Sequence, residues 1–458
     1  MHPDRFPGTL DYMGRGRLAF AFLSLLCALL LTGCVDSRRF DATMRGLCFD
    51  RLWSELRRYH VDLKVVDAIA PSVEDVRARV AAAETRDAYL VELGRFLDEF
   101  QDPHIGFDDL DDYLRFHSGQ EPTGLARIRS LDRQGVWVDL DPDVLAAAHG
   151  PCAAAAGSSG LVEIADIEGI RSPALVTTFL TMGIPGRPVH VRIRTGDCED
   201  CILECAYPSV DSDSDGRGGR RFASVRRFSP SLFYRRPANH KIGYVALRSF
   251  DREELVTRFD TALNELIDAP ALVIDLRSNV GGEFRYMTQI LSRFRAGWTN
   301  WGSLHWPLPR VLPFIGPERS WWRVDCWLPN REPVFGRPIV VLVDGATASA
   351  AELFALNLRE QCGAVLVGQQ TLGAHAGVRR VKLPDGLQLQ FGSVRLQTHA
   401  GTELSREGVT PDVVVPADRQ AIRDNGLDEL RRIRSTAFTT ACETAEKLAQ
   451  TGEVHPAE

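Results

Sequence analysis

The sequence predicts an α/β protein, built on a mostly parallel sheet with an antiparallel addition and preceded by a helical segment and a small strand-rich unit. Three observations carry this expectation. Beyond residue 240, continuous apolar runs such as "ALVIDLR" (271–277), "PIVVLVD" (338–344) and "AVLVGQQT" (364–371) alternate with amphipathic helical patterns. That is the rhythm of βαβ units whose strands are covered on both faces. Between 40 and 100, "FDRLWSELRRYHVDL" places Phe49, Leu52, Trp53 and Leu56 on one helical stripe, and "RDAYLVELGRFLDEF" repeats the style. From 128 to 208 the signals change to short strands with one helix, as in "GLVEIADIEGI" and "RPVHVRIRTG".

The N-terminus supplies the first functional signal. In "MGRGRLAFAFLSLLCALLLTGC" (13–34), Arg15 and Arg17 precede an apolar stretch from Leu18 to Leu31 that ends in small residues. This is the layout of a secretory signal, and the apolar stretch is too short for a comfortable transmembrane span. "LTGC" resembles the lipobox of bacterial lipoproteins, which implies lipidation at Cys34, a mature chain beginning there, and a place in the bacterial cell envelope facing the periplasm or exterior. Asp4 and Asp11 make Met13 a better start than Met1. With 458 residues, 44% of them hydrophobic, the chain can fill two or three domains, and a formal net charge of -7 argues against nucleic acid as a partner.

Cysteine usage fits an exported chain. Once Cys27 leaves with the signal and Cys34 carries lipid, eight of the 10 cysteines remain. Disulfides are plausible there, with a local one expected in "CEDCILEC" (198–205), which has neither a second spaced pair nor a nearby histidine to make a metal site. "DSDSDGRGGRR" (211–221) reads as a loop. Its calcium-like beginning fails at the twelfth position, where Phe222 stands in place of a glutamate.

Within the βαβ part, "IGYVALRSF" (242–250) is a strand, "REELVTRFDTALNELI" a helix, and "ALVIDLRSNVGG" a buried strand that turns at glycines into "EFRYMTQILSRF". A Trp/Pro-rich insertion occupies 297–337, "VKLPDGLQLQFGSVRLQT" marks a hairpin around Pro-Asp-Gly, and the tail from about 419 is charged and helical. The stretch "ATASAAELFALNLRE" (346–360) raises the sharpest question. Ser349 and Glu352 spell S-x-x-E, a capping box, before a helix whose Ala351, Phe354, Ala355 and Leu358 share one face. Yet a serine at a strand-to-helix junction also lies at the carboxyl edge of the sheet, where α/β proteins bind ligands. Glycines 281 and 282 offer backbone amides at a second such turn, as acyl transfer to a serine requires.

The ordered motifs "IGYVALRSF", "ALVIDLRSNVGG", "PIVVLVDGATASAAELFA", "AVLVGQQTLGAHAG", "KLPDGLQLQF" and "REGVTPDVVV" resemble the C-terminal processing peptidases, or tail-specific serine proteases. The wider family includes the tricorn protease core and interphotoreceptor retinoid-binding protein. The resemblance implies a ClpP/crotonase-like βαβ core over 240–418 and a degenerate PDZ-like α+β domain (128–208), and it extends to the N-terminal helical segment (40–115); the helical tail (419–458) lies beyond it. It implies Ser349 as nucleophile, the amides of Gly281 and Ala350 as oxyanion hole, a protein or peptide substrate, and no metal or organic cofactor. One departure matters. Where processing peptidases carry a lysine base in a T-F-G-K-G turn, "TLGAHAG" has Ala374, with His375 beside it. The tricorn branch takes its base from the segment before the substrate domains, and His104 of "DPHIGF" matches that place, which sets this chain closer to that branch. His104 is therefore the expected base and His375 the alternative. The carboxylate that supports the histidine in that branch would fall at Ser405, so its role has no matched residue. A second reading is a non-proteolytic binding lipoprotein that retains the fold, as the retinoid-binding relatives do.

Overall fold

A computed structural model describes residues 40–118, 124–140, 161–184, 186–194, 201–207, 231–309, 319–374 and 376–451. The signal segment with Cys34, the 211–221 loop and His375 lie outside the described residues. Helices α1 (Ala42–Tyr59), α2 (Leu63–Ile69), α3 (Val73–Ala82) and α4 (Arg86–Asp98) come first. Asp41, Asp62 and Thr85 cap three of them, each side chain accepting from an amide two or three residues on. Phe49, Leu52 and Leu56 are fully buried, while Trp53 packs at the margin of the same cluster. Pro103 follows α4 in a tight turn that leads into strand β1 (Gly106–Asp108) and helix α5 (Leu110–Ser118).

Strands β2 (Ala126–Asp132), β3 (Gly135–Leu140) and β4 (Val162–Ile167), helix α6 (Pro173–Thr181), and strands β5 (Pro188–Arg194) and β6 (Cys201–Ala206) form the small unit. Its sheet is antiparallel throughout, in the order β2-β3-β4-β5-β6. The sequence suggested a separate unit, but its apolar face joins α1–α4 in one continuous core, with Phe107 edge-on to Phe179 at 6.4 Å. Cys205 is a free, buried thiol of β6, so the expected local disulfide does not involve it; Cys198 and the Cys201 side chain lie outside the described residues. Cys48, Cys326, Cys362 and Cys442 are free as well.

The remaining elements are β7 (Leu232–Arg235), β8 (Gly243–Leu247), α7 (Glu254–Glu265), β9 (Leu272–Asp275), α8 (Phe284–Leu291), β10 (Trp298–Pro309), β11 (Arg319–Pro329), β12 (Ile339–Val343), α9 (Ala350–Cys362), β13 (Val365–Gly368), β14 (Ala376–Lys382), β15 (Gln388–Gln397), β16 (Val413–Val414) and α10 (Arg419–Thr451). The central sheet runs β16-β13-β12-β9-β8-β7, parallel except for β7. Helices α7, α8 and α9 cover one face and the alanine-rich side of α10 the other, which explains the continuous apolar strands. The predicted hairpin forms as β14 and β15, but not on this sheet. It pairs instead with β1 and β10 in a third sheet, ordered β1-β15-β10-β11, and the antiparallel addition to the central sheet is β7. The Trp/Pro-rich insertion, for which no strand was expected, supplies the long pair β10 and β11.

At the carboxyl end of β9 the buried Asp275 accepts from Tyr244 Oη (2.6 Å) and from the Arg277 guanidinium at Nε (3.0 Å) and Nη2 (2.8 Å). Arg277 Nη1 donates onward to the Arg434 carbonyl of α10 at 2.6 Å. Burial alone would push the Asp275 carboxyl up, but the Arg277 and Arg248 guanidiniums outweigh it and hold the group well below the ordinary range. Its contribution to stability is therefore fully present above the unfolded aspartate value of about 4, and is lost as pH falls below that. Asp275→Asn is expected to cost about 3–5 kcal/mol at pH 7 by leaving the arginines unpaired. Urea midpoints should also show that the variant loses less stability than the wild type between neutral and acidic pH.

Candidate active site

Ser349 stands where β12 turns into α9, half-buried, with φ 55° and ψ -120°. A non-glycine residue with positive φ carries strain and must be held there by its surroundings. The holding group is Glu352, 1% exposed. One oxygen accepts the Ser349 N–H (2.9 Å) and the Ala374 N–H (2.9 Å); the other accepts the Gly373 N–H (2.9 Å) and the Thr371 hydroxyl. Burial raises the Glu352 pKa, and these four donors offset part of the effect. The Ser349 hydroxyl lies in the capping-box arrangement without a side-chain cap hydrogen bond, and the Glu352 N–H donates to the Ser349 carbonyl at 3.0 Å. The hydroxyl is thus left for chemistry, and Glu352 does more than the cap that the S-x-x-E pattern suggested.

The second turn closes over the first. Gly281 has φ +95°, and a Cβ placed on it would lie 2.9 Å from Ser349 Cβ and 3.0 Å from the Ala350 nitrogen. Only glycine fits that approach. Buried Asn279 sets the spacing: its carbonyl accepts the Ala348 N–H at 2.9 Å, its Nδ2 donates to the Leu247 carbonyl at 3.1 Å, and its Oδ1 accepts the Gly281 N–H at 2.8 Å. The Ala350 N–H has no hydrogen-bond partner among the described residues. Of the two expected oxyanion donors, Ala350 is free, whereas Gly281 must exchange Asn279 for a substrate oxygen.

His104 lies in the turn between α4 and β1, 9% exposed. The structure does not join it to Ser349, since neither ring nitrogen has a hydrogen-bond partner among the described residues. It stands beside the fully buried Asp102, with Nδ1 3.6 Å from Oδ1. Burial would raise the Asp102 carboxyl, but His104 and His60 hold it well below the usual range. Asp102 Oδ2 accepts the Gly392 N–H at 2.7 Å, and a Cβ on Gly392 would meet both that oxygen and Ala376 Cβ at 2.9 Å. Ala374 thus donates to the Ser349 support, while Ala376 packs against Gly392, whose N–H donates to Asp102. His375 falls between them in the chain and lies outside the described residues. Ser405, in the position of the family's supporting carboxylate, accepts the Glu407 N–H at 3.2 Å within its own loop. The sequence reading missed Asp102, His60 and Asn279; only the tight spacing of Asp102, Pro103 and His104 could have pointed to the first.

A strained serine at a strand-to-helix turn, flanked by backbone amides at the carboxyl edge of a parallel sheet, is the layout of a serine-type hydrolase. Residues 241–415 match Peptidase family S41, and the chain carries a serine-type peptidase domain of that family. A carboxyl-terminal-processing protease of Picosynechococcus sp. is 24% identical over 344 residues, covering 73% of this chain and 75% of the relative. The C-terminal processing peptidase of Tetradesmus obliquus chloroplasts is 36% identical over 204 residues, covering 43% of this chain and 41% of the relative. Among solved structures, mature CPAF superposes with a TM-score of 0.53 at 13% identity, over 85% of this chain and 95% of that one, which is a likeness of fold.

Gly281→Ala is expected to destabilise the protein by about 1–3 kcal/mol, through positive φ and contact with the Ser349 turn. It should also displace the Ala350 amide from Ser349, so peptide hydrolysis should fall more steeply than the shift in thermal midpoint explains.

Proposed function

We propose that this chain is an envelope-anchored serine endopeptidase that hydrolyses protein or peptide substrates through an acyl-enzyme on Ser349. The observation that carries the reading is the strained Ser349 backbone, fixed by Glu352 while the hydroxyl remains uncommitted. Strain of this kind is kept where function uses it. His104 takes the proton from Ser349 Oγ as that oxygen attacks the scissile carbonyl carbon. The oxyanion accepts from the Ala350 and Gly281 amides, and the leaving amine departs with the proton from His104. Water, deprotonated by the same imidazole, then hydrolyses the ester. The Ser349–His104 bond closes with substrate in place, as catalytic hydrogen bonds commonly do.

The scheme needs no metal or organic cofactor. The small unit of β2–β6 serves as a degenerate PDZ-like holder for the substrate's end, and an extended substrate adds as a strand along a sheet edge. Attachment is through lipid on Cys34. Among the described residues no helix is long and apolar enough to cross a membrane. The competing reading, a binding lipoprotein without proteolysis, draws on Ala374: its side chain is buried against Ala348 and Leu372, so the turn offers no lysine there.

A fluorophosphonate probe separates the two readings. The wild type is expected to label at Ser349 and to cleave unstructured peptides; Ser349→Ala should do neither, while its stability changes by less than about 1 kcal/mol because the hydroxyl closes no cap. Peptidase activity retained in Ser349→Ala would defeat the proposal. His104→Ala should slow hydrolysis by about 100-fold or more. Cys34→Ser should leave the membrane fraction or accumulate as precursor, and unchanged fractionation with normal processing would rule out the anchor.

A further inference from the structure

A histidine base needs a partner that decides which ring nitrogen carries the proton, and the expected position for that partner holds Ser405. Asp102 is placed to take the task. It is fully buried and, among the described residues, has no arginine or lysine partner; the groups that face it are the two imidazoles of His60 and His104. This sets it apart from Asp275, whose arginine forks explain its burial. Asp102 is held from several sides: Oδ1 accepts the His104 N–H at 2.9 Å, Oδ2 accepts the Gly392 N–H at 2.7 Å, and His60 Nε2 stands 3.3 Å from Oδ2. The His60 ring is itself confined, 5.0 Å from the Phe100 ring and stacked on Phe391 at 6.2 Å. Its Nδ1 lies 3.1 Å from both the Asp62 nitrogen and the Asp62 carbonyl oxygen; in the tautomer where the Asp62 N–H donates to Nδ1, the ring proton is on Nε2 and turns toward Asp102.

We propose that Asp102 is the carboxylate that positions His104, and that His60 positions Asp102, so that the base ends a buried line His60–Asp102–His104. This rests on the reading of His104 as the base. In the resting enzyme the His104 proton sits on Nδ1, facing Asp102, and leaves Nε2 as acceptor. When Ser349 attacks, the Oγ–H bond breaks and an Nε2–H bond forms; Nδ1–H stays on the ring, Asp102 stays ionised, and the new imidazolium is stabilised beside it. Asp102 and His60 touch no substrate and act through His104.

A merely structural Asp102, tying the 102–105 turn to β15, predicts different behaviour in a double-mutant cycle on the full chain. The readout is the second-order rate of fluorophosphonate labelling at Ser349. Asp102→Asn is expected to lower it by about 100-fold or more and His60→Gln by less, while neither lowers it further once His104 is alanine. Losses that multiply in the His104→Ala background, or an Asp102→Asn variant at full rate, would overturn the role. Should Asp102→Asn fail to fold, His60→Gln carries the same cycle. Proton NMR on Ser349→Ala supplies a readout independent of catalysis: a strongly downfield imidazole N–H resonance, lost on adding His104→Ala and kept on adding His60→Gln. Its absence would overturn the Asp102–His104 contact even if His104 is the base. Full labelling of His104→Ala with the resonance present would instead remove the base assignment, and with it this positioning role.

Discussion

The catalytic half of the molecule depends on one buried carboxylate. Glu352 collects the amides of Ser349, Gly373 and Ala374 and the Thr371 hydroxyl, and so binds the turn after β12 to the turn after β13. A buried acceptor with four donors is costly to disturb, because loss of the carboxylate would strand several amides at once. Ser349 can therefore remain in a conformation that an unsupported residue would leave. Thr371 extends the arrangement by accepting the Val409 N–H at 2.7 Å, which draws in the loop that precedes β16.

The rest of the chain is pressed onto this site. The small unit reaches it through the β2–β3 turn: a Cβ on Gly345 would stand 2.5 Å from Asp132 Cβ, and Arg133 donates to the Glu407 carbonyl at 2.6 Å. Helix α10 secures that contact from the far side. Arg419 and Arg423 both engage Glu163 of β4, which is fully buried and also takes Arg194 at 3.1 Å. Removing one guanidinium from such a cluster leaves others to neutralise the charge, whereas removing Glu163 would leave three cations facing one another. The β2–β6 unit and the Ser349 turn are thus held in register by charge across β4 and α10 and by close backbone approach at Gly345.

The missing lysine follows the same economy of space. Ala374 fills a small apolar cluster with Ala348 and Leu372, directly beside the carboxylate that orients Ser349. The turn after β13 therefore carries no lysine at 374, and the third sheet holds His104 beside Asp102. Pairing of β1 with β15 carries the His104 turn to Gly392, whose missing side chain leaves room for Asp102 against Ala376. Residues nearly 300 positions apart in sequence meet there.

Much of this was legible without coordinates, because periodicity is a local property. The central strands were evident as β-branched runs and the helices as amphipathic stripes, and the Ser349 junction was evident from the meeting of the two. Ordered motifs identified the peptidase family for the same reason: each is a short strand-and-turn sequence. What stayed hidden depended on long-range pairing. The hairpin at β14 and β15 was recognisable, but its sheet was not, since alternation says which face is buried and not which strand lies alongside. The β10–β11 pair was obscured by its prolines and exposed tryptophans. Asp102 and His60 read as ordinary polar residues near helix ends, and only the tertiary structure, by burying both against β15 beside His104, decided that they belong together. The sequence by itself determined the elements, the family and the strand-to-helix junction that carries Ser349; the tertiary structure decided which buried charges face one another, because burial and pairing arise from chain segments that local patterns do not relate.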